Sequence, residues 1–139
     1  MYKKDYLQRQ FEEFGMVMAV LFGLRKNKDH EKYSREFALI FEKYTDLISD
    51  EFETLTQQYF LKQVSAHFGS NTEKLHVLAD LLYEKLNYYL ETDEIEKAKT
   101  LHLKCTYLYT LLQENLSENE FNLDIHYRLN VLEKLEKSL

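Results

Sequence analysis

The chain has 139 residues, of which 45% are hydrophobic and 30% are charged, as is typical of a folded globular domain. Its net charge is −6, which argues against a nucleic-acid partner because such binding depends largely on cations that neutralise phosphates. Three glycines and no proline argue against a β protein, whose turns use both residues freely. We therefore expect a single all-α domain over residues 1–139.

Cysteine usage and the longest apolar segment predict the compartment. The single cysteine, Cys105, excludes an intramolecular disulfide and fits a reducing environment. The longest apolar run, residues 14–24, is too short to span a bilayer. Acidic residues at Asp5, Glu12 and Glu13 interrupt the apolar stretch that a secretory leader would need. We expect a cytoplasmic protein with no membrane contact.

The first predicted helix, over roughly residues 4–25, is the most apolar part of the chain. Its core stripe is Leu7, Phe11, Phe14, Met18 and Leu21. A second face carries Gly15, Ala19 and Gly23, and because glycine within a helix costs about 1 kcal/mol relative to alanine, we expect another helix to approach it closely. That helix belongs either to the same domain or to a second copy of the chain. The frequency of two-fold dimers slightly favours a homodimer.

Capping residues and breaks predict the later helices in chain order. These signals are Asp29, Ser49 with Asp50, Ser70 with Glu73, Asp93 with Glu96, and Ser117 with Glu120, and Gly69 is the predicted stop before Ser70. The connections between the apolar stripes are short, so sequential helices should be antiparallel. The predicted fold is five or six antiparallel helices in one bundle-like domain.

Residues 78–112 have the spacing of a helical hairpin with its turn at Asp93. Ala98 and Cys105 lie one heptad apart in the second helix, and we expect both to be buried where this helix crosses the first. With an aromatic residue at Tyr89 and these small residues after the turn, the segment resembles a tetratricopeptide repeat. The resemblance implies a tetratricopeptide-like C-terminal half and contact with a protein partner.

A broader resemblance covers the start of the chain as well. The segment Asp5-Tyr6-Leu7, the stretch from Met16 to Leu24 and the later hairpin together resemble an uncharacterised family of small all-helical bacterial proteins. Neither resemblance implies an enzymatic activity.

Few residue pairs in the sequence suggest metal binding or catalysis. Glu73 and His76 share a helical face, but ferritin-like di-iron sites use two such steps and the chain has one. His102 and Cys105 also share a face, but a structural zinc site needs four ligands. Cys105 lies within an apolar stripe, which favours a small buried side chain over a nucleophile. We predict no cofactor, no bound metal and no enzymatic activity.

A group of five tyrosines on the fourth and fifth predicted helices stands out. They are Tyr83, Tyr88, Tyr89, Tyr107 and Tyr109. We expect the core of one hairpin to take about three of them, since the adjacent Tyr88 and Tyr89 should not both face one core. Tyrosine-lined grooves commonly hold peptides or partner helices. We therefore predict that at least two of the five line an accessible groove.

These features favour a non-enzymatic protein–protein interaction or adaptor domain, with a protein or peptide as its partner. The alternative is a helical protein that binds a small molecule or regulatory ligand in a pocket between helices. A large apolar surface patch would favour the first function, and a fitted pocket would favour the second.

Overall fold

The computed structural model describes residues 2–69, 71–116 and 122–139, with side chains from Arg9 onward in these ranges except for Phe11. Within them the chain forms seven α-helices and no strand, which confirms the predicted all-α class. The helices are α1 Tyr2–Lys26, α2 His30–Thr45, α3 Ser49–Glu53, α4 Gln57–Phe68, α5 Thr72–Glu91, α6 Ile95–Glu114 and α7 Leu123–Glu136. None of these helices has an apolar stretch that could cross a bilayer.

The predicted number of helices was too low because the third predicted helix is divided in two. The Thr54 hydroxyl donates to the backbone carbonyls of Asp50 and Glu51, both at 3.1 Å, where α3 ends. The Thr56 hydroxyl then accepts from the backbone N–H of Tyr59 and caps α4. Both threonine hydroxyls therefore satisfy backbone groups at helix ends. The chain is divided into two helices here, although its apolar pattern predicts one.

Asparagine side chains cap two of the helices for which serines were predicted. Asp29 caps α2 as predicted, but Asn71 caps α5, accepting from the Lys74 N–H at 3.0 Å. Asn122 likewise caps α7. The predicted caps Ser70 and Ser117 with Glu120 lie outside the described residues. An asparagine amide oxygen caps a helix as well as a serine hydroxyl does.

The turns between described helices use two aspartates and Lys28 in the left-handed region, and one glycine. Asp46 and Asp93 adopt φ values of 60° and 58°, in the left-handed region that aspartate tolerates better than most residues. Gly69 follows the end of α4 as predicted, but its φ of −49° is right-handed. A Cβ at position 69 would lie 2.6 Å from the Ser65 carbonyl oxygen, so space rather than φ requires glycine here.

Aromatic side chains link the N-terminal helices to one another. Ring centroids lie 5.9 Å apart for Phe37 and Phe41, 5.8 Å for Phe41 and Phe52, and 5.5 Å for Phe52 and Phe60. This series of contacts joins α2, α3 and α4. Buried side chains from all the described helices belong to one hydrophobic cluster.

Helix α5 lies at the centre of the bundle and packs against α1, α2, α4 and α6. Its most extensive contact is with α6, to which it is joined by residues 92–94 alone, so the two helices form an antiparallel hairpin. Ala98 and Cys105 on α6 are fully buried, which confirms their predicted burial. The central position of α5 determines where most of the candidate site residues lie.

Candidate functional site

One face of α1 carries apolar side chains that no other described part of the chain covers. Met16 is 67% exposed, Val20 52% and Phe22 51%. Gly15 and Ala19 are also exposed, and at 100° per residue all five positions fall within about half of the helix circumference. We name these five residues the open face of α1. Contiguous exposed apolar surface commonly marks an interaction site.

The small residues on α1 are not covered by another helix of the described chain. A Cβ added at Gly15 or at Gly23 would meet nothing within 4 Å, and Ala19 is exposed. Within the described residues, no other helix of the chain packs closely against Gly15 or Gly23. Contact with a second copy stays a prediction.

Ion pairs hold α1 against the bundle with its open face outward. The Arg25 guanidinium, 8% exposed, lies 3.0 Å from Glu84 and 2.5 Å from Glu91 on α5. Near the middle of α1, Glu13 pairs with Lys43 of α2 at 2.5 Å. Because Arg25 is desolvated and bound by two carboxylates, it fixes the end of α1 more firmly than an exposed pair would.

A groove of about 530 Å³ runs between α1 and the neighbouring α5 and α7. Gly15, Ala19 and Phe22 line one side, and Tyr83 lines the other. The Arg128 guanidinium on α7 lies 5.1 Å above the Tyr83 ring centroid. The structure therefore brings one of the five predicted tyrosines beside the predicted small-residue face.

The five predicted tyrosines do not form one groove. Tyr88 and Tyr89 are each 8% exposed. Tyr88 stacks on Tyr33 of α2 with ring centroids 4.1 Å apart, and the Tyr89 hydroxyl donates to Glu53 of α3 at 2.6 Å. The expectation that the adjacent tyrosines would not both face one core is wrong, because α5 packs against several helices and both rings belong to the same cluster.

The tyrosines on α6 are also part of the packed interior. Tyr109 is fully buried, and its hydroxyl donates to Asp80 at 2.6 Å. Asp80 also accepts from Arg128, which joins α5, α6 and α7 in one polar network. Tyr107 is half-buried with its ring edge against Phe60. Both side chains are explained by packing and hydrogen bonding within the bundle.

A lysine and a glutamate, neither predicted as a site residue, are buried in the core. Lys85 is 6% exposed, and its Nζ lies within 4.4–5.7 Å of four aromatic ring centroids. The rings are those of Tyr33, Phe37, Tyr88 and Tyr89. The available signal was the place of Lys85 within the apolar stripe of α5, where a charge must be offset by its surroundings.

Glu53 supplies the negative charge of this buried cluster. It is 7% exposed, its Oε2 has no hydrogen-bond partner within the described chain, and its backbone carbonyl accepts from Lys104 Nζ at 2.9 Å. Burial raises the pKa of the Glu53 carboxyl, against the opposing charge of Lys85. Burial also lowers the pKa of the Lys85 ammonium. Each charged group is thus disfavoured by desolvation and favoured by the other.

A cleft of about 590 Å³ opens beside Glu53. Its lining includes Asp50, Glu96, Lys97 and the ring of Tyr89. Three carboxylates, including that of Glu53, outnumber the single ammonium group among the lining residues. This acidic lining would favour a cationic ligand over an anionic one.

The candidate metal and catalytic residues are engaged in packing. Cys105 is fully buried, and burial raises the pKa of its thiol. His102 Nε2 hydrogen-bonds to the Leu132 carbonyl at 2.6 Å, which ties α6 to α7. His76 lies 3.6 Å from Asp80. Across residues 2–69, 71–116 and 122–139, no three His, Cys, Asp or Glu side chains are grouped to hold a metal ion.

No protein-family model, curated protein or solved structure matches this chain. The tetratricopeptide-like hairpin and the bacterial family stay predictions from the sequence. The function of the domain is therefore inferred from its own surfaces, the open face of α1 and the cleft beside Glu53.

Proposed function

We propose that this protein is a non-enzymatic interaction domain whose binding surface is the open face of α1. The observation that carries the proposal is the exposure of Met16, Val20 and Phe22 on one side of a helix that is otherwise packed into the core. Arg25 fixes this helix to α5, so the surface is formed before a partner arrives. Preformed surfaces lose less conformational entropy on binding.

The side chains of the open face suit a partner that presents an apolar helix. Gly15 and Ala19 leave room for a second backbone to approach, because neither carries a bulky side chain. Met16 supplies an unbranched side chain that adapts its shape to the partner. The Phe22 ring, with the Arg25 guanidinium 5.0 Å from its centroid, adds a large apolar surface at one edge. Docking of one helix against such a face is a common recognition mode.

The hairpin of α5 and α6 supports an adaptor role by a separate line of reasoning. Asp93 has a φ of 58°, in the region that glycine favours, at the turn position where tetratricopeptide repeats carry glycine. We interpret the C-terminal half as tetratricopeptide-like on this basis.

We also place the protein in a bacterial cytoplasm, on its sequence resemblance and on the single cysteine, Cys105.

Site-specific photo-crosslinking in the native cells tests the proposed function. A benzophenone amino acid replaces Val20 on the open face or, as a matched control, Leu39 on α2, which is 64% exposed. We expect a discrete crosslinked protein from position 20, identifiable by mass spectrometry, and none from position 39. The absence of any adduct at position 20, or equal adducts at both positions, would contradict an interface on α1.

A second candidate function is the binding of a small cationic ligand in the cleft beside Glu53. It is favoured by Glu53 Oε2, a buried carboxylate oxygen without a hydrogen-bond partner in the described chain. We rank ligand binding below the interaction function because the positive charge of Lys85 already compensates the Glu53 carboxylate.

A further inference from the structure

We propose that the partner of the open face of α1 is a second copy of this chain. In this dimer the two α1 helices run antiparallel and cross at Ala19 on a two-fold axis. The inference rests on the proposed function, because both use the same face. It adds the identity of the partner and the register of the contact, which follow from spacing and charge along α1.

The spacing of small residues is self-complementary about Ala19. In an antiparallel pair centred at Ala19, a residue of one copy lies opposite a residue of the other copy. If the first is a given number of positions before 19, the second is the same number of positions after 19. Gly15 therefore meets Gly23 of the partner subunit, a half-buried residue beside the open face, and Ala19 meets its own copy. Met16 meets Phe22 of the partner subunit, which places a flexible side chain against a ring at each end of the small-residue contact.

Among the residues that the structure describes, nothing packs against the missing Cβ atoms of the two helical glycines. Each destabilises α1 by about 1 kcal/mol relative to alanine, yet a Cβ at either position would meet nothing within 4 Å. A second helix approaching closely would use the missing Cβ atoms at both positions at once. Contact between copies would thus account for two glycines that the packing of the described residues does not require.

Charge along the same face selects the antiparallel direction. Glu12 and Lys26 lie seven residues before and after Ala19, which places each about 10 Å from the axis along the helix. Both are exposed and both already have interactions within the chain, Lys26 with Glu91, so contacts between copies would be added to these. An antiparallel pair brings Glu12 of each copy to Lys26 of the partner subunit. A parallel pair would oppose like charges at both ends, which is unfavourable.

The length of the contact predicts a reversible dimer. Residues 12–26 span about four helical turns, and a contact of this length buries less surface than standard-size stable interfaces. We therefore expect a dissociation constant on the order of 10 µM.

Sedimentation equilibrium of the purified full chain tests the dimer. The disruptive variant is Ala19→Glu, which places two carboxylates on the axis. The matched control is Ala38→Glu, the same change at an exposed position of α2. We expect wild type and Ala38→Glu to dimerise reversibly and Ala19→Glu to bind at least about tenfold more weakly. A wild-type chain that stays monomeric up to about 0.5 mM, or equal dimerisation by all three proteins, would overturn the proposal.

A charge exchange tests the register. Glu12→Lys and Lys26→Glu should each weaken the dimer about five- to tenfold by opposing like charges, and the double variant should restore it. Failure of the double variant to restore association would overturn the antiparallel pairing. If purified protein is monomeric while position 20 crosslinks to a different protein in cells, the self-association fails and the proposed function stands. If position 20 crosslinks to nothing, the proposed function fails as well.

Discussion

Glu53 and Lys85 show how individual charged residues can lie within this core. A buried charge is unfavourable unless its surroundings replace the solvation that it loses. For Glu53 the replacement includes the Tyr89 hydroxyl at 2.6 Å and the charge of Lys85. For Lys85 it includes the faces of four aromatic rings. Burial therefore makes stability depend on the titration of both groups, and the dependence has opposite signs for Glu53 and Lys85.

Glu53→Gln should remove one component of that pH dependence. Burial raises the pKa of the Glu53 carboxyl above its ordinary value of 4.5, so the folded chain holds this proton more tightly than the unfolded chain does. The resulting stabilisation is complete below pH 4.5 and is lost as pH rises through the folded-state pKa. The free energy of unfolding of wild type minus that of Glu53→Gln should fall as the pH rises above 4.5, by at most about 1.4 kcal/mol per pH unit.

Urea denaturation at a series of pH values measures this difference. The control is Glu114→Gln, which removes the same charge at an exposed position of α6. A difference between wild type and Glu53→Gln that does not change with pH, or that rises with it, would show that Glu53 is not held in a desolvating site.

At the residue scale, the sequence could predict burial better than it could predict the partners of polar groups. Ala98 and Cys105 were placed in the core by heptad spacing alone, and both are fully buried. Arg25 could not be assigned to a buried ion pair, because its partner Glu84 is 59 residues away in the chain. Periodicity reports which face of a helix is apolar, but it does not report which distant helix lies opposite.

At the scale of elements, helix identity followed from the sequence, but several helix ends did not. Apolar stripes three and four residues apart located the long helices, because that spacing forms one face of an α-helix. The break between α3 and α4 depends on hydroxyls of Thr54 and Thr56 that satisfy nearby backbone groups. Such local competition leaves no trace in the apolar pattern, so the predicted boundary was missed.

Two glycine substitutions should change helix stability in opposite directions. Gly15→Ala should raise the free energy of unfolding by about 1 kcal/mol, because alanine favours helix and the added Cβ meets nothing within 4 Å. Gly69→Ala should lower it by about 1 kcal/mol or more, because the Cβ would lie 2.6 Å from the Ser65 carbonyl oxygen.

Both substitutions are best measured by urea denaturation in the Ala19→Glu background, so that association does not contribute to the free energy. A loss of stability from Gly15→Ala in that background would mean that another part of the same chain covers the open face of α1.

At the scale of the whole molecule, the arrangement around α5 decides which sequence features become sites. Tyr88, Tyr89 and Tyr109 are buried because several helices surround α5 and α6. The first helix, by contrast, packs on one side only and leaves Met16 and Val20 exposed. The apolar composition of α1 marks this helix as unusual. Which of its faces stays uncovered depends on how the helices pack together, and the apolar pattern of the sequence does not contain that information.

Disulfide trapping through Ala19→Cys tests most directly whether α1 is the interface between copies. A disulfide needs Cα atoms about 4.4–6.8 Å apart, so it forms readily only where two copies meet at this position. Cys105 is fully buried and does not compete. We expect mild oxidation of dilute Ala19→Cys protein to give a covalent dimer, while Ala38→Cys on the exposed face of α2 stays monomeric. Equal, slow crosslinking of both variants would contradict an interface on the open face of α1.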